Sequence, residues 1–332
     1  MHHGKLDKKT AMGLRELRGR IDKAGIPPSK LDETINIATW NIREFGRKAR
    51  LKPSIHYIAE VIGQFDLVAV VEVRDNMKDM QRVLDILGPY WSVVFSDYIK
   101  DRQGNGERIA YVFDKRAVTF TGLAAEADPP RKKDRITGEM VSRLSWWRSP
   151  YMASFRAGNF DFILLTAHIR WGSGDDARIA PLKLLAEWVA KRRKEKHVID
   201  RDFIVMGDFN IPELDDDLFK AITSKGLRIP EKLRGTTHGS NLEKNKRYDQ
   251  ILHYPTETSV FTDKGGVLDF YDGGIAKLYP GAGLSKDSFT YQMSDHLPLW
   301  MHLKVDISEE LLDQYINPGE SSKKKKTSRK KG

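Results

Sequence analysis

Six short apolar runs, spread over residues 35–305, each meet a carboxylate, an amide or an imidazole at one end. Run 35–40 leads into Asn41, run 66–73 carries Glu72 next to its end, and run 160–167 stops at His168. Run 203–206 is followed by Gly207-Asp208, run 250–253 is preceded by Asp249, and run 297–305 by Asp295-His296. Such lengths and compositions read as strands. Between them lie segments with helical spacing. In 53–65, Ile55, Ile58, Ala59 and Ile62 recur at that spacing, with proline in the first turn. In 75–87, Met77, Met80, Val83, Leu84 and Leu87 share a face until Gly88-Pro89 stops the helix. Segment 175–196 opens on acids and closes on bases, which suits a helix dipole, and 214–224 reads as a further helix. Strands are also expected at 91–95, 109–113, 117–120 and 151–155, the last forming a hairpin with 160–167 around Gly158-Asn159. This alternation restricts the chain to a mixed α/β domain.

The chain has 332 residues, 40% hydrophobic and 31% charged, enough apolar material for a sizeable core. It has no cysteine, which excludes disulfide scaffolds, thiolate zinc sites, iron–sulfur clusters and cysteine nucleophiles. No window approaches the roughly 20 apolar residues of a membrane span, and no apolar signal-type segment follows Met1. The expectation is a cytoplasmic monomer without a membrane span. The net charge of +10 is unevenly spread. Residues 1–30 carry eight Lys and Arg against three Asp and Glu, and 320–332 carry seven against one. The stretch 31–319 holds 41 bases and 42 acids. Three segments are therefore expected: a basic extension 1–30 ending in Pro27-Pro28, a globular domain 31–318, and a disordered lysine-rich tail 319–332.

The strand-end residues form a coherent chemical set. Asn41, Glu72, Glu107, His168, Asp208, Asn210, Asp249, Asp295 and His296 supply hard oxygen ligands, amides and two imidazoles. Each alone also suits a plainer role: an Asx turn at Asp208, a backbone-bonded His168, a solvated strand end at Glu72. Together they match magnesium or manganese ligation, acid–base work near neutral pH, and metal-assisted attack of water on a phosphate ester.

The order of motifs resembles the endonuclease/exonuclease/phosphatase superfamily, and within it the deoxyribonuclease I branch. The resemblance runs from Thr39-Trp40-Asn41-Ile42-Arg43-Glu44-Phe45-Gly46 through Val71-Glu72-Val73-Arg74-Asp75, Gly106-Glu107-Arg108 and Arg148-Ser149-Pro150. It continues with Ala167-His168, Gly207-Asp208-Phe209-Asn210, Tyr248-Asp249-Gln250-Ile251 and Ser294-Asp295-His296-Leu297-Pro298. It implies a four-layered α/β sandwich, with two packed mixed β-sheets and outer helices. It further implies that Glu72 binds the divalent metal with Asn41 beside it, and that Asp295 is a further metal or supporting carboxylate. Asp208 and Asn210 would orient water and phosphate. Asp249 would orient His296 as general base, and Glu107 would orient His168 as general acid. Arg43, Arg74 and Arg148 become candidate nucleic-acid contacts.

These features imply a divalent-metal-dependent DNA endonuclease using Mg²⁺, with Mn²⁺ as a substitute and no structural Ca²⁺ assumed. The alternative is a phosphatase or phospholipase C-type phosphodiesterase of the same superfamily, acting on inositol phosphate or sphingomyelin. The 127–147 insertion is expected to be a variable loop whose Trp146-Trp147 end packs on the core. The two basic ends are expected to tether the enzyme to DNA without sequence preference.

Overall fold

In the computed structural model, all residues are described except 101–105, 143–145, 173, 175, 237, 256–259 and 317–332. The expected tail 319–332 lies outside the described residues. The strands in chain order are β1 (Thr34–Phe45), β2 (Leu67–Val73), β3 (Trp91–Phe95), β4 (Ile99–Lys100), β5 (Gly106–Asp114), β6 (Thr119–Glu126) and the short pair β7 (Lys132–Lys133) and β8 (Met140–Val141). They continue as β9 (Tyr151–Ala157), β10 (Phe160–His168), β11 (Phe203–Asp208), β12 (Asp249–His253), β13 (Phe261–Val267) and β14 (Leu299–Lys304). One sheet runs β13-β14-β1-β2-β5-β3, with β4 added on β5; the other runs β12-β11-β10-β9-β6. Both are mixed: β1 is parallel to β2 and antiparallel to β14, while β10 is parallel to β11 and antiparallel to β9.

The nearly unbroken apolar runs follow from both faces being covered. On β1 and β2, Ile35, Ile37, Leu67, Ala69 and Val71 point to the interior between the sheets, on the side of Phe155, Leu164 and Ile204. Their alternates Ala38, Trp40, Val68 and Val70 pack outward, under helices. Those helices are α1 (Lys8–Lys23), α2 (Lys52–Ile62) and α3 (Lys78–Leu87). The opposite sheet is covered by α4 (Asp176–Arg192) and α5 (Asp217–Thr223), through Leu182, Leu185, Leu218 and Ile222. Two packed mixed sheets with helices outside are the architecture expected from sequence.

The segment 1–30 departs from the expected extension. Asp7 caps α1 by accepting from the Thr10 N–H at 2.9 Å, and Leu14, Leu17 and Ile21 are buried against α2 and its neighbours. Arg20 is buried too, donating to Phe270 O and Gly274 O, both at 2.8 Å. The Arg18 guanidinium and the His3 ring both bind the buried Glu60 carboxylate at 2.7 Å. Of the eight bases of this segment only Arg20 is buried and Arg18 reaches a buried carboxylate, the other six staying exposed, while an apolar stripe docks the helix. Leu17→Ala is therefore expected to cost about 2–5 kcal/mol, seen as a lower urea midpoint. A change within about 0.5 kcal/mol, as for an ordinary surface position, would mean the helix is dispensable.

Strand β13 was not expected, since Asp263-Lys264-Gly265-Gly266 has little strand propensity. It is held as an edge strand on β14, with a register shift between Phe261 and Gly265. Where a Cβ on Gly265 would stand, Met301 Sδ lies 2.3 Å away.

Candidate active site

The site lies where strand ends of the two sheets meet. Register delivers three of its residues in a row. His168 on β10 pairs with Asp208 on β11, and Asp208 pairs with Asp249 on β12. From the other sheet, Asn41 ends the inward-facing series Ile35, Ile37, Thr39 on β1, and Glu107 sits near the start of β5.

Glu72 needs a device to join them. Strict alternation would place it on the face of Val68 and Val70, toward the helices. Instead, its φ of 63° is left-handed and the β2–β5 register shifts between Val70 and Val73. The bulge turns the carboxylate to Asn41, whose Nδ2 donates to Glu72 Oε1 at 3.0 Å. A second left-handed residue, Asn210 at 52°, follows Asp208 and donates its backbone N–H to Asp208 Oδ1 at 2.9 Å. Such conformations cost about 1–3 kcal/mol each and cluster where function requires them. Between β10 and β11, Gly207 has φ 141°, and a Cβ there would stand 2.1 Å from Ala167 O. Glycine is required for the two strands to approach this closely.

Two carboxylate–imidazole pairs face one central carboxylate. His168 Nδ1 lies 2.6 Å from Glu107 Oε1, and His296 Nδ1 lies 2.7 Å from Asp249 Oδ2. The far nitrogens, Nε2 of His168 and Nε2 of His296, are 3.6 and 3.7 Å from Asp208 Oδ2. Asn41 Nδ2 also donates to Asp208 Oδ2, at 3.0 Å. His296 is fixed by its chain as well: Ser294 Oγ accepts the His296 N–H at 3.0 Å and donates to Asn41 O at 2.6 Å.

Burial and charge oppose each other here. Burial works against a charged imidazole, but Asp249 and Asp208 outweigh it and hold His296 well above its ordinary value. At His168 burial and Arg148 pull down, while Glu107 and Asp208 give a net upward shift. Burial would raise Glu72, yet His168, the Glu44 N–H and Asn41 bring it down to about 2. Burial and the neighbouring Asp249 push Asp208 upward against the attraction of the two imidazoles. Glu72 is thus held as an anion, while Asp208 is pushed toward its protonated form.

Two arrangements of these residues could hold a divalent cation. The ligand atoms of Asp208, Asp249 and His296 lie within 4.8 Å of one another. In that group, however, His296 and Asp249 already satisfy each other through Nδ1 and Oδ2. The other arrangement is Glu72 with Asn41. There the Asn41 Oδ1 is buried without a hydrogen-bond partner, while its NH₂ is shared between two carboxylates. A cation among Glu72, Asn41 and Asp208 would satisfy that orphaned oxygen and offset the adjacent negative charge. The residues therefore fit a hard divalent ion. Asp295, next to His296 in the chain, acts by charge on Arg43 and His296.

The three arginines expected to touch nucleic acid differ in their surroundings. Arg43 is partly exposed, stacked 3.9 Å over Tyr291 and bonded to Asp287 at 3.2 Å. Arg74 is buried, donating to Gly106 O at 2.8 Å and lying 3.3 Å from Glu44 and 3.9 Å from Glu72. Arg148 is mostly buried and pairs with Glu107 at 3.3 Å. Arg74 and Arg148 are thus placed to position the site's carboxylates, a role that two arginines in a motif do not reveal. The Trp146 end of the insertion packs on the core as expected, with Nε1 donating to Pro181 O at 3.1 Å. Sequence reasoning missed Ser294, the Glu44 N–H that holds Glu72 Oε2 at 2.9 Å, and the Tyr248 ring 5.8 Å from that of His296. Ser294 was legible only as the neighbour of Asp295-His296.

The chain matches the Endonuclease/Exonuclease/phosphatase family over residues 38–296. A search of the curated proteins finds no match. Among solved structures it is similar to the human Nocturnin catalytic domain with bound sulfate, at 16% identity and TM-score 0.53, covering 83% of this chain and 96% of that one. It is similar also to truncated Caenorhabditis elegans TDP2, at 13% identity and TM-score 0.52, covering 82% and 97%. A Bacteroides thetaiotaomicron mannosyl-6-phosphatase aligns at 17% identity and TM-score 0.50, covering 81% and 99%. At these identities the likeness is one of fold.

Proposed function

Because the chain belongs to the endonuclease/exonuclease/phosphatase family, whose members hydrolyse phosphoester bonds, we propose that it is a divalent-metal-dependent endonuclease cutting DNA phosphodiesters. The observation that carries the chemistry is the pair of dyads, with Nε2 of His168 and of His296 within 3.6 and 3.7 Å of one Asp208 oxygen. Asp249 holds His296 at Nδ1, leaving Nε2, once the ring is neutral, to take a proton from water as the oxygen attacks phosphorus. Glu107 holds His168 in the same way, leaving its Nε2 to give a proton to the departing oxygen as the P–O bond breaks. In this reading Asp208 orients the water and Asn210 a phosphoryl oxygen. When bound at Glu72 and Asn41, a magnesium or manganese ion supplies Lewis-acid polarisation of the phosphoryl group.

DNA is favoured among phosphoesters by the Asn41-Ile42-Arg43 and Glu72-Val73-Arg74-Asp75 runs, with Arg43 the partly exposed contact. The test is a substrate panel of plasmid DNA, inositol phosphates, sphingomyelin and a sugar monophosphate. Turnover of DNA with Mg²⁺ or Mn²⁺ is expected. Turnover confined to a monoester or sphingomyelin would replace this reading with the phosphatase or phospholipase one. No helix among the described residues is long and apolar enough to cross a membrane.

The tether proposal covers both basic ends, segment 1–30 through its exposed bases and the lysine-rich residues 319–332; the test takes residues 319–332. Removing these residues is expected to weaken DNA binding at low salt and flatten its salt dependence, with kcat unchanged. Equal affinity and salt slope in the shortened protein would refute the tether.

A further inference from the structure

Beside the dyads runs a line of aromatic rings that the chemistry above does not use. Tyr248 immediately precedes Asp249, and its ring centroid is 5.8 Å from that of His296. Trp171, three residues beyond His168, sets its ring edge-to-face on Tyr248 at 5.3 Å. Trp171 is nevertheless 59% exposed. A lone exposed tryptophan would carry little meaning, but this one is built into the site. Arg178 lies 5.4 Å from its ring and is itself buried, donating to Asn210 O at 2.5 Å. The loop root is fixed as well: Ile169 N–H donates to Asp208 O at 2.8 Å, and Asn210 Nδ2 donates to Ile169 O at 2.7 Å. The indole is therefore tied to the catalytic loop from below while much of its surface stays open to solvent.

We infer that Trp171, backed by Tyr248, is a stacking platform for a nucleobase next to the scissile phosphate. Its preferred substrate is then single-stranded or locally unpaired nucleic acid. A base inside a duplex has both faces covered, so an indole can stack on it only where it is unpaired or displaced. Base–aromatic stacking is tolerant of base identity, so the platform would give strand-state preference without sequence preference. This inference rests on the nuclease reading and refines its substrate.

The test uses the full-length protein, a labelled single-stranded 20-mer, its duplex, and a 20-mer with an abasic tract around its centre. Binding is read by fluorescence anisotropy in EDTA, and cleavage separately with Mn²⁺. Wild type is expected to bind and cut the single strand better than the duplex or the abasic strand. Trp171→Ala is expected to weaken single-strand binding on the order of tenfold, a penalty that largely disappears on the abasic strand. Trp171→Phe should recover most of the loss. An equal penalty on normal and abasic strands, or a phenylalanine variant no better than alanine, overturns the platform. Selective single-strand binding without cleavage of any nucleic acid would keep the platform and refute the endonuclease reading. Cleavage indifferent to Trp171 would do the reverse.

Discussion

Replacing His296 with alanine is expected to lower kcat by about 10²- to 10⁴-fold, with KM little changed. The imidazole is held from two directions, by Asp249 Oδ2 at Nδ1 and by Ser294 Oγ at its backbone N–H. Its Nε2 is thereby set toward Asp208, where the attacking water is to be oriented. An interaction used in the transition state and not in substrate binding lowers kcat and kcat/KM together. Asp249→Asn, which keeps shape but removes the charge that raises the imidazole, should fall in the same direction. Thermal unfolding of both variants serves as the control, since each breaks a buried pair. A folded His296→Ala protein within about threefold of wild-type kcat would remove His296 from the role of base, because a positioned general base contributes far more than that.

The second large effect concerns Glu72. Its Oε1 accepts from Asn41 Nδ2 at 3.0 Å and its Oε2 from the Glu44 N–H at 2.9 Å. Both oxygens meet donors, so Glu72→Gln places an NH₂ against a donor whichever way the amide turns. It also deletes a carboxylate whose pKa is brought down to about 2 by His168, the Glu44 N–H and Asn41. Manganese affinity measured by titration calorimetry is expected to fall by more than the roughly 10–100-fold typical of losing an outer partner of a metal ligand. Unchanged affinity would move the cation to Asp208, Asp249 and His296. Asp249→Asn would then show the loss in place of Glu72→Gln.

Much of this was legible because strands advertise their ends. Apolar runs with both faces covered marked β1, β2, β10 and β11, and the residues closing them include Asn41, Glu72, His168 and Asp208. What could not be read was how pairing folds those ends together. Glu72 has the wrong parity for the site and reaches it only through a left-handed backbone and a register shift, which no local pattern signals. Charge was the other blind spot. The eight bases of residues 1–30 marked that segment as an extension from the domain, yet Arg20 is buried and Leu17 wholly enclosed. Arg74 and Arg148 looked like DNA contacts, yet they sit against Glu44, Glu72 and Glu107. In each case the partner is distant in sequence, so the sign of a residue was visible and its counterpart was not. Trp171 escaped for a related reason, since its meaning depends on Tyr248 and Arg178.

The most direct measurement is nicking of supercoiled plasmid by the purified full-length protein, stripped with EDTA and then supplied with Mg²⁺ or Mn²⁺. The two-dyad site predicts no nicking in EDTA, restoration by either ion, and loss of at least about 10²-fold in the His168→Ala variant. Nicking that persists in EDTA, or at the wild-type rate without His168, would contradict it.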